Sequence, residues 1–158
     1  MPILETRTVS WPDEASCAAS AIALAALLGL RSACIELHGT LGAGKTTFVR
    51  HLLGALGAEG RVKSPTYALM EPYRLNGFDA WHFDLYRFND PQEFEDAGFR
   101  EVFSNPGLKL VEWPEKAAGL LPEADLIVAI SFGSDEQSDD QRSVTFSAQT
   151  ALGLKLLP

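Results

Sequence analysis

A run of glycines that ends in a lysine and two threonines is the feature of this chain with the most direct chemistry. Residues 39–46, Gly-Thr-Leu-Gly-Ala-Gly-Lys-Thr, have the pattern G-x-x-x-x-G-K-[ST]. Such glycines let the backbone adopt conformations that a Cβ forbids, so successive N–H groups turn inward around phosphate oxygens. The Lys45 ammonium would reach the β- and γ-phosphates of a nucleoside triphosphate, and the Thr46 hydroxyl would take one position on Mg²⁺. We expect the nucleotide to contact Gly39, Leu41, Gly42, Ala43, Gly44, Lys45, Thr46 and Thr47.

The segments on both sides of this loop have the strand and helix patterns that such a loop requires. Residues 32–37 form a short apolar run typical of a buried strand, and residues 46–53 repeat apolar side chains at helical spacing. A helix that begins near Lys45 points the positive end of its dipole at the phosphates. This order of strand, loop and helix argues against a chance match and predicts a nucleotide site.

Two carboxylates that follow apolar strands are candidates for the second metal-binding group. Glu112 ends the predicted strand Leu108–Val111, and Asp84 ends the run Trp81–Phe83. Open α/β sheets bind ligands at the carboxyl ends of their parallel strands, so either side chain can meet Mg²⁺ directly or through water. The alternative is that either one is only a solvated strand terminus.

The elements that must position these residues follow from apolar patterning and turn residues. A helix is predicted over Trp11–Leu30, a second after the glycine-rich loop, and a short third one after Asp90, which serves as its cap. Asn76-Gly77 predicts a hairpin turn. The other predicted strands are Leu4–Val9, Tyr67–Arg74, Ala80–Tyr86, Asp125–Phe132 and Arg142–Ala148. We therefore expect an α/β fold, a single P-loop NTPase-like domain over residues 1–158, with a mixed central sheet and flanking helices.

Length, charge and composition restrict the class of protein. The chain has 158 residues, of which 46% are hydrophobic, so it can bury a core without disulfides or metals. It has no apolar stretch of about 18 residues and no leader-like N-terminus, so we expect a cytoplasmic protein without a membrane segment. The formal net charge of −8 argues against tight binding of a nucleic acid. Cys17 and Cys34 lack the spacing of a zinc or redox motif, and we expect both to be buried.

Five blocks of sequence, taken in order, resemble the bacterial TsaE family, also called YjeE. The resemblance runs from about Pro12 to Phe132 and rests on Gly39–Thr47, Val62–Tyr67, Glu71–Tyr73, His82–Arg87 and Leu110–Glu115. It implies a small ATPase required for the threonylcarbamoyladenosine modification beside the anticodon of tRNA. It also implies a partner, the TsaB–TsaD heterodimer, whose multiple turnovers are supported by ATP hydrolysis. Because the chain is acidic, we expect no tight binding of tRNA by this chain alone.

The resemblance also assigns roles to residues of the nucleotide site. Thr46 and Glu112 become the Mg²⁺ ligands, and Lys45 becomes the lysine that contacts the phosphates of ATP. Asp84 becomes the carboxylate that orders the attacking water. Catalysis is then expected to depend on Lys45, Asp84 and Thr66.

Three further features carry alternatives. Thr66, in a loop with Ser64 and Pro65, is by resemblance a sensor of the γ-phosphate, or else part of an ordinary turn. Trp113 is by resemblance a contact of the nucleotide or the partner, or else a core residue. The loop Gly133–Gln141 is longer and more acidic than the resemblance predicts, and its composition predicts mobility.

Other classes of nucleotide-binding protein use the same loop. A small P-loop kinase acting on a small molecule or nucleotide is the main alternative, but it would normally add clustered arginines and a lid over the acceptor. A regulatory GTPase would carry an N-K-x-D element, which this sequence lacks. A nucleotide-binding scaffold without turnover is the third alternative.

Overall fold

The described part of the chain, residues 2–60, 69–133 and 140–158 of a computed structural model, forms one seven-stranded sheet with helices around it. The strands are β1 (Glu5–Trp11), β2 (Cys34–His38), β3 (Met70–Leu75), β4 (Phe78–Asp84), β5 (Leu108–Glu112), β6 (Leu126–Phe132) and β7 (Arg142–Ala148). The helices are α1 (Glu14–Ala25), α2 (Lys45–Ala55), α3 (Gln92–Asp96), α4 (Phe99–Ser104) and α5 (Ala151–Leu154). Short 3₁₀ helices span Leu28–Ser32 and Pro114–Ala117.

The strand order is β1-β7-β6-β2-β5-β4-β3, and the sheet is mixed. β2 runs parallel to its neighbours β5 and β6, and β4 runs parallel to β5. The pairs β1 with β7, β6 with β7, and β3 with β4 are antiparallel. The expected α/β fold with a mixed central sheet is therefore confirmed. Because β2, β4 and β5 are parallel neighbours, their carboxyl ends meet at one edge of the sheet, which is where ligands bind in such folds.

Apolar side chains cover both faces of the sheet. Successive residues of a strand point to opposite faces, and accordingly Leu110 of β5 packs in one hydrophobic cluster and Val111 in another. The first cluster joins α1 and α2 to the sheet, with the rings of Trp11 and Phe48 stacked at 5.4 Å. The second joins α3 and α4 to β4 and β5. β5 is thus packed on both sides, which holds its last residue, Glu112, in a fixed place.

The first helix is shorter than its apolar pattern predicts. Trp11 ends β1, and α1 runs only over Glu14–Ala25, with the Asp13 carboxylate accepting a hydrogen bond from the Ser16 N–H at 2.9 Å. Leu27 has an extended backbone, φ −86° and ψ 122°, so the α-helix cannot continue through it. The chain then enters a 3₁₀ helix that buries Leu30 completely. The prediction over Trp11–Leu30 was wrong at both ends, because apolar spacing alone does not reveal this change of direction.

The hairpin and the short elements agree with their predictions to different degrees. β3 and β4 are joined at Asn76-Gly77 as predicted, with Gly77 at φ 88°. Tyr67, the predicted start of β3, lies outside the described residues, and β3 is seen from Met70. The Asp90 carboxylate accepts a hydrogen bond from the Gln92 N–H at 2.9 Å, but the N-cap residue of α3 is Pro91, one position after the predicted cap. α4, α5 and the 3₁₀ turn after Trp113 were not predicted, since none exceeds six residues.

Two remaining expectations concern the membrane and the cysteines. Within the described ranges no helix has the length and apolarity to cross a bilayer, and α1 has only 12 residues. Cys17 is buried as expected, whereas Cys34 is only half-buried, and both thiols are free. Burial raises the pKa of Cys17 to about 11 and that of Cys34 to about 12, so both remain protonated at neutral pH.

Candidate nucleotide site

The glycine-rich loop connects β2 to α2 and has the backbone that its sequence predicts. Gly39 has φ 151°, and a Cβ there would lie 2.6 Å from the carbonyl oxygen of Ile130 in β6, so no other residue fits. Gly44 precedes α2 with φ 114°, in the left-handed region that favours glycine. The loop therefore wraps the N-terminus of an 11-residue helix, where free N–H groups and the helix dipole attract an anion.

Lys45 lies at the centre of this loop and is only 5% exposed. Its ammonium donates to the carbonyl oxygen of Gly39 and, at 3.3 Å, to that of Thr40. The ammonium nitrogen also lies 3.9 Å from the centre of the Trp113 ring, a cation–π contact. Burial lowers the pKa of Lys45, and the nearby carboxylates, Glu112 foremost, oppose that shift. A bound phosphate would give this buried cation a stronger anionic partner than the two carbonyl groups.

The side-chain oxygens of Thr46 and Glu112 lie next to each other. The Thr46 hydroxyl lies 3.0 Å from both carboxylate oxygens of Glu112, although their positions differ by 66 in the sequence. Glu112 is 2% exposed at the end of β5, so it is not a solvated strand terminus. Mg²⁺ prefers hard oxygen ligands and usually takes one or two carboxylates together with substrate phosphates. These two side chains fit that requirement beside a phosphate-binding loop.

His82 completes this arrangement and was not among the predicted site residues. It is fully buried in β4, and its Nε2 lies 2.5 Å from the Glu112 Oε2. The available signal was a histidine two residues before a candidate carboxylate, in the predicted strand Ala80–Tyr86. The sequence does not reveal that this histidine contacts Glu112 rather than Asp84.

Asp84 occupies the neighbouring strand end. In the parallel pairing of β4 with β5, Asp84 stands opposite Glu112, so both carboxylates flank the same end of the sheet. Asp84 is half-buried, and its Oδ1 accepts a hydrogen bond from the Tyr86 N–H at 3.1 Å. This hydrogen bond holds the carboxylate in place, and Asp84 lines the same cavity as the glycine-rich loop. The second candidate acid is therefore also placed at the site.

Trp113 belongs to the site as well as to the packing around it. Its φ of 59° is in the left-handed region, which is uncommon for a residue with a side chain. The ring lies over the Lys45 ammonium, and its centre is 4.9 Å from that of the Tyr86 ring. The ring also packs against the second hydrophobic cluster. Trp113 thus forms one wall of the cavity.

Most of the predicted site residues line one cavity, but Gly39 is not among its lining residues. The cavity is bounded by residues 41–47 together with Asp84, Tyr86, Arg87, Glu112 and Trp113. Tyr86 and Arg87 were not predicted, although they directly follow Asp84 in the sequence. Thr66 lies outside the described residues, and its predicted role stays a prediction. So does the predicted mobility of the loop Gly133–Gln141, of which residues 134–139 are not described.

A second cleft opens on the other side of the loop. It is lined by Trp11, Asp13, Cys17, Gly42–Gly44, Thr47 and Arg142, among others. The Arg142 guanidinium donates to the carbonyl oxygen of Ala43 at 2.9 Å and lies 4.3 Å from the Phe132 ring centre. Arg142 begins β7 and is 99 positions from Ala43, and no local motif marks it. It supports the glycine-rich loop from the side opposite Glu112.

Comparison with known proteins places the chain in a family. The family model described as "Threonylcarbamoyl adenosine biosynthesis protein TsaE" matches residues 11–144. The tRNA threonylcarbamoyladenosine biosynthesis protein TsaE of Haemophilus influenzae is 46% identical over 123 residues, covering 78% of this chain and 75% of that protein. The protein of the same name from Bacillus subtilis is 36% identical over 148 residues, covering 94% and 87%.

A solved structure agrees with the sequence relatives. The crystal structure of Bacillus subtilis YdiB superposes with a TM-score of 0.80 and 26% identity, covering 99% of this chain and 94% of that one. The family model, the sequence relatives and the solved structure all point to one family. The resemblance found in the sequence is therefore confirmed. The chain belongs to the TsaE family of tRNA threonylcarbamoyladenosine biosynthesis proteins.

Proposed function

We propose that this chain, acting as a single ATPase domain over residues 1–158, binds Mg²⁺–ATP and hydrolyses it in complex with a TsaB–TsaD heterodimer. Hydrolysis would support repeated turnover of that heterodimer in tRNA modification, in the cytoplasm. The observation that carries the proposal is the convergence of Lys45, Thr46, Asp84 and Glu112 in one cavity at the carboxyl ends of parallel strands. The names of the relatives supply the pathway, and the partner follows from the family resemblance.

Each side chain has a chemical task in this proposal. The Lys45 ammonium exchanges its carbonyl partners in the loop for the β- and γ-phosphate oxygens. Thr46 and Glu112 would hold Mg²⁺, which neutralises charge on the phosphates when it is bound there. Asp84, opposite Glu112, orients the attacking water through its carboxylate. Thr66 remains the predicted sensor of the γ-phosphate.

The second cleft, beside Arg142, is the proposed site for the base of the nucleotide. The cleft beside Arg142 adjoins Gly42, Ala43 and Thr47 on the side of the loop away from Glu112. Its walls combine the Trp11 ring and Cys17 with polar side chains that can hydrogen-bond to a base, namely Asp13, Glu14, Thr47, Asp140 and Arg142. Since phosphates enter the loop from the cavity near Glu112, we place the adenine in this cleft.

The proposal predicts that ATP turnover depends on both the heterodimer and Lys45. We expect added TsaB–TsaD to stimulate turnover, and Lys45→Ala to reduce the stimulated rate on the order of 100-fold or more, because the phosphate-binding ammonium is lost. Phosphate release with and without the heterodimer measures this. Lys109→Ala is the matched control, because Lys109 is also buried beside a tryptophan, 5.3 Å from the Trp81 ring centre, but lies outside the cavity.

Two other outcomes of that experiment would reject the proposal. If the wild-type chain binds ATP but releases no phosphate even with the heterodimer, it is a nucleotide-binding scaffold. If phosphate is instead transferred to a small molecule or nucleotide, the chain is a P-loop kinase.

A second prediction concerns the tRNA itself. With 13 basic and 21 acidic residues, the chain cannot neutralise many phosphates of a nucleic acid. We therefore expect no measurable binding of isolated tRNA by this chain alone at physiological salt. A fluorescence-anisotropy titration with labelled tRNA tests this, and a tight, salt-sensitive complex would move the proposal toward an enzyme that acts directly on RNA.

A further inference from the structure

His82 is a buried side chain in contact with the site, and the proposed reaction gives it no task. It is fully buried on β4, while its hydrogen-bond partner Glu112 ends the neighbouring strand β5. The contact of 2.5 Å between the His82 Nε2 and the Glu112 Oε2 therefore ties two parallel strand ends together. These are the same ends that carry Asp84 and Glu112.

The hydrogen-bonding pattern selects one form of the ring. Nδ1 of His82 is buried and has no hydrogen-bond partner among the described residues. A proton on Nε2 is donated to the Glu112 carboxylate and leaves Nδ1 as a bare acceptor. A proton on Nδ1 alone would leave a buried N–H unsatisfied and set the Nε2 lone pair against a carboxylate oxygen, which is far less favourable. The geometry thus makes Nε2 of His82 the donor to the Glu112 carboxylate.

A glutamate has three side-chain torsions, so a strand end alone does not determine where its oxygens lie. In this site Oε2 is held from one side by His82, and both oxygens face the Thr46 hydroxyl. Metal-binding carboxylates that are themselves hydrogen-bonded are orientated for the ion, and loss of such a partner weakens metal binding. We propose that His82 is a positioning residue that holds Glu112 in its metal-binding orientation and thereby sets the affinity of the site for the divalent cation. This inference rests on the proposed function, because it assumes that Glu112 binds the metal.

A second histidine–glutamate pair in the chain provides a matched control. His38 Nε2 lies 3.0 Å from the Glu36 Oε1, and both residues are on β2. That pair joins two positions of one strand and is outside the nucleotide cavity. A change at His38 removes the same kind of hydrogen bond without touching Glu112.

The test measures the binding of Mn²⁺ to the full chain saturated with ADP, by electron paramagnetic resonance. His82→Gln keeps an N–H donor at nearly the position of Nε2, whereas the shorter side chain in His82→Asn does not reach Glu112. We expect His82→Asn to weaken Mn²⁺ affinity about 10- to 100-fold, and His82→Gln to restore most of it. His38→Asn should leave the affinity unchanged, and the affinity of all variants for ADP in EDTA should match wild type.

Three results separate the possible failures. Wild-type Mn²⁺ affinity in folded His82→Asn overturns the positioning role. Equal weakening in the Gln and Asn variants, with ADP affinity in EDTA lost as well, assigns His82 a purely structural role and also overturns it. If the wild-type chain with ADP binds no Mn²⁺ at all, the metal site of the proposed function fails, and the inference falls with it.

A measurement on the wild-type chain covers the case in which the variants do not fold. Nitrogen-15 NMR of the histidine rings reports which ring nitrogen carries the proton. We expect the Nε2–H form at His82, with a downfield proton that persists when Mg²⁺ and ADP are added. The Nδ1–H form, or loss of the Nε2 proton signal when Mg²⁺ and ADP bind, would overturn the proposal.

Discussion

Replacing Glu112 with glutamine is expected to reduce partner-stimulated ATP hydrolysis on the order of 100-fold or more, because the metal loses its only charged ligand among the proposed pair. Glutamine keeps the shape of the side chain. Its amide oxygen can still accept from His82, and its N–H group can donate to the Thr46 hydroxyl, so the buried contacts of Glu112 are conserved. Steady-state phosphate release at saturating ATP measures the effect.

The glutamine variant is preferable to alanine because Glu112 is buried. Truncation to alanine would leave His82 without its Nε2 partner inside the protein, which costs stability and confuses the result. Glu36→Gln is the matched control. Glu36 lies on β2, the strand next to β5, and its carboxylate also contacts a histidine, so the substitution removes the same charge outside the cavity. A folded Glu112→Gln chain that hydrolyses ATP at the wild-type rate would exclude Glu112 from the metal site.

Replacing Asp84 with asparagine is expected to slow hydrolysis about 100-fold while the affinity for ATP stays close to wild type. The reason is that orienting a water acts mainly in the transition state, whereas in the proposed site the loop and Lys45 hold the phosphates. Asparagine can still accept the hydrogen bond from the Tyr86 N–H, so the turn after β4 is conserved. Single-turnover rates and ATP binding, measured on the same preparation, separate the two effects.

The control for this variant is Asp79→Asn on the same strand. Asp79 pairs with Arg74 at 2.9 Å, at a position away from the cavity, so its loss should change neither quantity. A parallel fall in ATP affinity and rate for Asp84→Asn would make Asp84 a ligand of the ground state rather than the residue that orders water.

The parts of the site that are contiguous in sequence could be predicted, because their chemistry is local. The loop 39–46 carries its own turn residues, and its flanking strand and helix are set by neighbouring apolar residues. Glu112 and Asp84 were recognisable because each ends an apolar strand. The resemblance to a family then joined these segments into one site.

The parts that depend on strand order could not be predicted from local pattern. β5 lies between β2 and β4, although β3 and β4 come between β2 and β5 in the sequence. That order alone brings Glu112 to both Thr46 and His82, which are 66 and 30 positions away. Arg142 reaches Ala43 across 99 positions for the same kind of reason. The spacing of apolar residues does not indicate which distant strands lie side by side. For this reason the contacts of His82 and Arg142 were not predicted.

The two outer strands of the sheet restrict how another protein can attach to it. β3 and β1 are the edge strands of the sheet formed by the described residues. Pro72 in β3 has no N–H group to offer to an added strand, and β1 carries an exposed ion pair between Glu5 and Arg7. Proline and charge at sheet edges discourage both β-augmentation and self-aggregation. A partner of this protein is therefore expected to recognise side chains around the loops and helices, rather than to extend the sheet.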